Sequence, residues 1–191
     1  MDLSTYAELA VRLVNAAHPD QGRGRDSGDE LATVESFRSL VADRPGLAGR
    51  VTAGDLEALR LLRDELRLVF TAVSQGRDTE AAERLNALLT RHPIHQQLTR
   101  HDGRRWHMHL VDSGSVADRY AAGAIAGLTG LIAESGTRRL GVCAAPGCER
   151  VFAGNGAGRD KRYCSVQCTP EASVRTLRAG GGGQGAPTAA S

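Results

Sequence analysis

Four cysteines lie close together near the C-terminus, and they are all the cysteines that the chain has. They form two short motifs, which we call the first knuckle (Cys143-x4-Cys148) and the second knuckle (Cys164-x3-Cys168). Four thiolates at such spacing can surround Zn2+ as a tetrahedral shell with Zn–S distances of about 2.3 Å. Because all four ligands are sulfur and no position stays open for a substrate, we predict one structural Zn2+ ion.

Disulfide bonds and simple packing of buried thiols are the alternatives for these cysteines. Disulfides need an oxidising compartment, but the start of the chain, residues 1–4, lacks the basic and apolar segments of a signal peptide. No apolar run approaches the ~20 residues of a membrane helix. We therefore expect a cytoplasmic protein without a membrane contact, in which paired cysteine motifs favour metal. Packed thiols would be dispersed through a core rather than clustered in a Gly- and Arg-rich segment.

Basic residues gather around the two knuckles. Residues 138–178 contain eight basic and three acidic side chains, although the whole chain has a formal net charge of only +2. Such an asymmetry is typical of a module that contacts a polyanion, and phosphate is the group that arginine and lysine would bind in DNA. The alternative is a solvated surface that offsets the charge of the zinc–thiolate centre. The candidate DNA contacts are Arg159, Lys161, Arg162, Arg175 and Arg178.

The remainder of the chain has the pattern of a helical domain, which we predict to span residues 1–136. Apolar residues at helical spacing predict helices over residues 3–17, 29–41 and 115–134. Two more helices are predicted between them. One is capped within Thr52–Asp55 and ended by Gly76, and the next is capped by Asp78 or Thr79 and ended at His92-Pro93. Small residues within 121–130 indicate that the last helix approaches its neighbours closely.

A β-hairpin is predicted near residues 96–111, where Asp102-Gly103 separates two alternating runs. Trp106, Met108 and Leu110 would share one face, and we expect that face to lie on the helices because a single hairpin is not stable alone. The predicted fold class is therefore mainly α with one β-hairpin (α+β). A small four-cysteine zinc-finger module, residues 137–179, follows the helical domain, and we expect the Gly-rich tail, residues 180–191, to be disordered.

Five histidines within residues 92–109 are a weaker signal. A second metal site or a pH-sensitive pocket is one interpretation, and exposed positions on the hairpin are the favoured one. The sequence has no nucleophile elbow, P-loop or HExxH motif, so we expect that the protein is not an enzyme. The histidines are His92, His95, His101, His107 and His109.

The chain resembles the bacterial CGNR zinc-finger proteins, which have an N-terminal ABATE domain and are described as stress-induced transcriptional regulators. The cysteine segments Cys143-Ala-Ala-Pro-Gly-Cys148-Glu-Arg-Val-Phe152 and Arg162-Tyr163-Cys164-Ser165 carry most of the resemblance. Helical segments add to it, namely Leu13-Val14-Asn15, residues 59–66 and residues 85–89. The resemblance implies DNA binding by the zinc finger, and a helical domain that senses an unknown small-molecule ligand or forms a homodimer.

One departure from the family pattern supports a second hypothesis. The family has Cys-Gly-Asn-Arg at the last cysteine, whereas this chain has Cys168-Thr169-Pro170-Glu171. If Asn and Arg contact nucleic acid, their loss favours a zinc finger that is a structural or protein-interaction module in a protein that binds a ligand or partner but not DNA. The zinc site itself is untouched by this change, and we expect Val151, Phe152, Tyr163 and Val166 to pack around it.

Overall fold

Five α-helices and two small antiparallel sheets make up the part of the chain that the computed structural model describes, residues 3–17, 28–47, 49–100, 106–110, 114–154 and 162–170. The helices are α1 (Leu3–Asn15), α2 (Val34–Leu40), α3 (Ala53–Ser74), α4 (Asp78–Arg91) and α5 (Val116–Ser135). The strands are β1 (Gln96–Thr99), β2 (His107–Leu110), β3 (Leu140–Val142) and β4 (Val151–Ala153). The predicted class, mainly α with a hairpin, is confirmed.

Short polar motifs define where the two longest helices begin. Thr52 caps α3 and Ser115 caps α5, and in each case the side chain accepts a hydrogen bond from the backbone N–H three residues later. The aspartate at that third position, Asp55 or Asp118, accepts a bond from the cap's own N–H, which completes a reciprocal capping box. The predicted start of α3 is therefore confirmed.

The closest helix packing is between α1 and α5, and it depends on Gly127. A Cβ atom at this position would lie 2.1 Å from the backbone N of Ala7 and 2.2 Å from the carbonyl carbon of Tyr6. Only a residue without a side chain allows the two backbones to approach so closely. Nearby, the buried Tyr120 hydroxyl donates a hydrogen bond to the Leu9 carbonyl at 2.9 Å. The predicted close approach of the last helix is confirmed.

Leucines, alanines and valines form most of the rest of the core, in line with the scarcity of aromatic residues. Helix α3 contributes a continuous apolar stripe that packs against α1, α4 and α5. Phe37 of α2 reaches the same core and lies 6.0 Å from the ring centre of Tyr120. The buried residues of the α3 stripe are Leu56, Leu59, Leu62, Leu66, Val69 and Phe70.

Two predicted helix starts are wrong, by five residues for α2 and by one or two residues for α4. Helix α2 begins at Val34 rather than at Asp29, because Thr33 and Ser36 form a capping box there. Asp29 instead accepts hydrogen bonds from the Leu31 N–H and from the Arg63 guanidinium. Helix α4 begins at Asp78 itself, after a residue that makes no side-chain cap. At α2, local hydroxyl partners thus decide the boundary more sharply than apolar periodicity does.

The hairpin β1–β2 is confirmed, with Leu98 opposite Met108 in its register. Its expected packing on the helices is wrong for the side chains that the structure describes. Leu98 is 61% exposed and Trp106 is 63% exposed, so neither lies against the helical core. The Asp102-Gly103 turn lies outside the described residues. Amphipathic alternation predicted the strands correctly. It does not indicate whether the helices leave an apolar surface on which the hairpin can pack.

The second hairpin, β3–β4, has no counterpart among the predictions. Its register pairs Leu140 with Ala153 and Val142 with Val151. Strand β3 packs on α3 and strand β4 on α1, and Leu140 and Val151 are buried in the same core as the helices. The hairpin that carries the first two cysteines is therefore packed into the helical body. Within the described residues, no helix combines the length and the apolar character needed to cross a membrane.

Candidate metal centre

The first knuckle lies in the loop of the β3–β4 hairpin. The Cys143 N–H donates to the Arg150 carbonyl at 2.8 Å, and the Cys148 N–H donates to the Ala145 carbonyl at 3.0 Å. Gly147 has φ of +75°, in the left-handed region that favours glycine. The chain therefore turns back tightly between the two cysteines and brings both sulfurs to one end of the hairpin.

The second knuckle is fastened to the first. The Ala144 N–H donates to the Arg162 carbonyl at 2.9 Å, and the Cys164 N–H donates to the Cys143 sulfur at 3.4 Å. A short 3-10 turn, Val166–Cys168, then brings the fourth sulfur back to the other three. Two segments that are far apart in sequence thus meet through backbone contacts as well as through their thiols.

The four sulfur atoms converge on one point. The distances between Sγ atoms are 3.8 Å for Cys148 and Cys164, 3.5 Å for Cys164 and Cys168, and 3.8 Å for Cys148 and Cys168. All four, including Cys143, lie within 4.8 Å of one another. A tetrahedron with metal–sulfur bonds of about 2.3 Å has edges of about 3.8 Å, so the cluster fits a tetrahedral metal shell. The four cysteines are free, and these separations far exceed the ~2.05 Å of a disulfide.

Crowding makes simultaneous ionisation of the four thiols costly. Burial and the neighbouring thiols raise the pKa of Cys164 to about 12. Burial also opposes ionisation of Cys143, but backbone N–H donors from Ala145 and Cys164 bring the pKa of that thiol below its ordinary value. A divalent cation at the centre would offset the repulsion among the thiolates. Binding such a cation is therefore the chemistry for which a site of four sulfurs is suited.

Three side chains of the helical body hold the backbone of the β3–β4 hairpin. The Asn15 amide donates to the Val151 carbonyl at 3.0 Å and accepts from the Val151 N–H at 2.7 Å. The Ser74 Oγ accepts from the Val142 N–H at 2.6 Å, and the Arg67 guanidinium donates to the Glu149 carbonyl at 2.9 Å. Sequence reasoning did not assign a role to Asn15, Ser74 or Arg67. The sequence signals for Asn15 are its place as a polar residue at the apolar end of α1 and its place in the Leu13-Val14-Asn15 segment of the family resemblance.

The apolar residues expected around the metal divide into two groups. Val151 and Phe152 are buried, at 1% and 4% exposure, and Val151 belongs to the core that the strands share with the helices. Tyr163 is half-buried beside the second knuckle. Val166 is 76% exposed, so its expected packing around the metal is wrong. It lies in the short turn Val166–Cys168, where none of the described apolar side chains covers it.

Among the candidate DNA contacts, Arg162 is the one that falls within the described residues. Its side chain is exposed beside the second knuckle, and its carbonyl accepts the bond from Ala144. Arg138 is also exposed at the entry to the hairpin. The other predicted contacts, Arg159, Lys161, Arg175 and Arg178, lie outside the described residues, as does the tail of residues 180–191.

The histidines do not add a second metal centre to the part of the chain that the structure describes. The four cysteines are the one group of potential ligands that converges there. His92 is half-buried at the end of α4, and burial lowers the pKa of its imidazole. His95 is exposed. His101 lies outside the described residues, and so do the side chains of His107 and His109.

Comparisons with known protein families agree with this architecture. The model of the ABATE family, described as "Putative stress-induced transcription regulator", matches residues 7–135, which is more than half of the chain. The model of the CGNR zinc finger matches residues 139–179 and thus contains all four cysteines. A search of curated proteins gives no match. The predicted resemblance is confirmed: the chain belongs to the ABATE family and has a CGNR zinc finger at its C-terminal end.

Proposed function

We propose that this protein is a transcriptional regulator whose four cysteines bind one structural Zn2+ and whose zinc finger contacts DNA. The observation that carries the proposal is the convergence of Cys143, Cys148, Cys164 and Cys168 within 4.8 Å in the region that matches a CGNR zinc finger. Zn2+ suits a closed shell of four thiolates, and when bound it would join the two knuckles without a free coordination position. The proposal includes no catalytic activity.

Charge supports DNA as the partner. The eight basic residues of segment 138–178 outnumber its acidic residues by more than two to one. Arginines that neutralise phosphates release counterions, so binding should weaken steeply as salt rises. Contacts of this type position a protein on DNA but do not read its sequence. Sequence preference would have to come from other groups or from DNA shape.

The test uses the full-length protein loaded with Zn2+ and fluorescence anisotropy with a mixture of genomic DNA fragments, from low to high salt. The double variant Arg175→Ala with Arg178→Ala should bind more weakly and show a salt slope lower by about 0.9 for each lost phosphate contact. Arg38→Ala with Arg100→Ala removes the same charge from exposed positions outside the cysteine segment and serves as the matched control.

Two results would contradict the DNA proposal. One is the absence of binding at low salt by the zinc-loaded wild type. The other is an equal loss of binding in both double variants, which would mean that net charge alone matters. Either result favours the alternative, a structural or protein-interaction zinc finger. Two observations point toward that alternative, namely Pro170-Glu171 in place of Asn-Arg and the burial of β3 and β4 in the common core.

The proposal also assigns the helical part to sensing or self-association. An open cleft of about 470 Å3 lies where α3 and α5 begin. Arg50, Thr52, Ser115 and Arg119 are among its lining residues, so a small polar or anionic effector is the ligand it would suit. A thermal-shift screen with small carboxylates and phosphates, repeated on Arg119→Ala, tests the effector. Sedimentation at micromolar concentration tests the homodimer.

A further inference from the structure

Asn15 binds strand β4 in the way that another strand would. Its side-chain amide uses both its donor and its acceptor on the backbone of one residue, Val151. Asn15 is itself buried, at 7% exposure, so these two bonds satisfy groups that water does not reach. Because Asn15 is the last residue of α1 and Val151 is the first residue of β4, the start of this strand is tied to the end of a helix in the main core.

Ser74 and Arg67 also anchor the hairpin, and their bonds are made next to the cysteines of the first knuckle. Val142, whose N–H bonds to Ser74, directly precedes Cys143. Glu149, whose carbonyl accepts from Arg67, directly follows Cys148. The helical body therefore holds the chain on both sides of the first knuckle.

Gly141 makes the Ser74 contact possible. A Cβ atom at that position would lie 3.0 Å from the Ser74 Oγ and 3.2 Å from the Phe152 ring, which is tighter than ordinary contact. Without a side chain, β3 can lie close enough to α3 for the Ser74 hydroxyl to accept the neighbouring N–H. Gly141 and Ser74 therefore act together to hold β3 against α3.

The second knuckle is held by different means. Its contacts with the first knuckle are the Ala144–Arg162 backbone bond and the bond from the Cys164 N–H to the Cys143 sulfur. Two of its sulfurs then approach Cys148 at 3.8 Å. A metal ion shared among these sulfurs would supply the main cross-link between the two segments.

We infer that Asn15, with Ser74 and Arg67, is a positioning residue that prebuilds half of the metal site. The first knuckle keeps its conformation without metal, and metal binding recruits the second knuckle to it. This inference rests on the proposed zinc binding. Partners of metal ligands typically change metal affinity by about 10- to 100-fold when they are removed. Asn15 acts one step further out, through β4, but it satisfies two backbone groups at once.

The first experiment measures zinc affinity by competition with a chromophoric chelator in the full-length protein. Asn15→Leu should weaken zinc binding by about 10- to 100-fold, because ordering of the first knuckle must then accompany metal binding. Ser74→Ala removes the acceptor for the Val142 N–H at an exposed position and should weaken binding by about 10-fold. The matched control is Tyr120→Phe, which deletes a buried hydrogen bond between α5 and α1 and should leave zinc affinity within about twofold of the wild type.

These readouts separate the inference from a general loss of stability and from the proposed function. If Asn15→Leu and Ser74→Ala lower the Tm but bind zinc as the wild type does, the positioning role is wrong. If Asn15→Leu does not fold, Ser74→Ala alone decides by the same criterion. If the wild type itself binds no zinc, the proposed function fails first, and the inference fails with it.

The second experiment follows backbone amide exchange in the wild type before and after removal of zinc by a chelator. Amides in residues 140–153 should stay protected without metal, while amides in residues 162–170 should exchange freely. Equal loss of protection in both segments, or loss in neither, would contradict the inference that the first knuckle is formed before metal binds. Co2+ substitution provides a spectroscopic check, because all four thiolates contribute to its absorption only when the second knuckle is recruited.

Discussion

The carboxylate of Asp55 accepts a hydrogen bond from the backbone N–H of Ala117 at 3.1 Å, so a residue in the first turn of α3 also caps α5. Its other oxygen accepts from the N–H and the hydroxyl of Thr52. Asp55 is buried, at 6% exposure, and its bonds satisfy donors at the starts of two helices. The beginnings of α3 and α5 are therefore locked to each other by one side chain.

Replacement of Asp55 by alanine should destabilise the protein by about 2–4 kcal/mol, because a cap is lost and the buried Ala117 N–H is left without its partner. Asp118 provides a matched control, since it occupies the same position of the α5 capping box but lies at an exposed site. Asp118→Ala should cost only about 1 kcal/mol. Urea unfolding of the three proteins at neutral pH measures the difference, and equal losses would contradict the double cap.

The contribution of Asp55 should depend on pH. Burial alone would raise the pKa of this carboxyl, but the hydrogen bonds from Thr52, Ala117 and Ser115 bring it below its ordinary value. A lowered pKa in the folded state means that the stabilisation is present above the unfolded value, about 3.9, and is lost as pH falls through the folded value. The stability difference between wild type and Asp55→Ala should therefore shrink below about pH 4. A constant difference down to pH 2 would contradict this.

Gly127→Ala should destabilise the protein by about 3 kcal/mol or more, or prevent folding. The new methyl group would meet the backbone of α1 at 2.1 Å, so the two helices would have to separate. Gly54→Ala is the control, because its nearest neighbour would be at an ordinary 3.7 Å in the exposed first turn of α3. That variant should be unchanged or more stable by up to about 1 kcal/mol. Thermal unfolding monitored by circular dichroism distinguishes the two.

Val151 and Val166 offer the same substitution in opposite surroundings. Val151→Ala should cost about 2–3 kcal/mol, because it removes buried methyl groups from the core and leaves a cavity. Val166→Ala should change the stability by no more than about 0.5 kcal/mol, since its side chain is 76% exposed. Chemical unfolding of both variants with zinc present is the measurement. A large loss for Val166→Ala would mean that this residue packs on the metal centre after all.

Removal of zinc should lower the stability of the whole protein and not only that of the finger. At free zinc 100 times above its Kd, binding contributes about 2.7 kcal/mol, which corresponds to a fall in Tm of roughly 5–10 °C for a chain of this size. Calorimetry with and without a chelator tests this, and re-addition of Zn2+ but not Mg2+ should restore the Tm. Cys168→Ser should not respond to the chelator. An unchanged wild-type Tm would contradict a metal-dependent fold.

Local signals in the sequence were sufficient for much of the fold. The Thr52-x-x-Asp55 box fixes the start of α3 because its bonds join residues three apart. The cysteine spacing likewise predicted the sulfur cluster, since each knuckle is a short local turn. Both predictions rest on residues that are neighbours along the chain.

Long-range partners were out of reach. Asn15 and Val151 are 136 residues apart. A polar residue at a helix end does not indicate which distant backbone group it will bind. Strands β3 and β4 contain three residues each, too few for an alternating pattern to emerge. The exposed position of Leu98 on the first hairpin also depends on which surfaces the helices leave available, and that follows only from the assembled core.

The burial of Leu140 and Val151 among the helices has an evolutionary consequence. The matched ABATE and CGNR regions are not independent domains. A chain that stopped at Gly136 would expose to water the apolar surfaces of α1 and α3 that β3 and β4 cover. Recombination that joined this helical part to a foreign finger would have to bring compatible strands with it. Descendants should therefore inherit the two regions together.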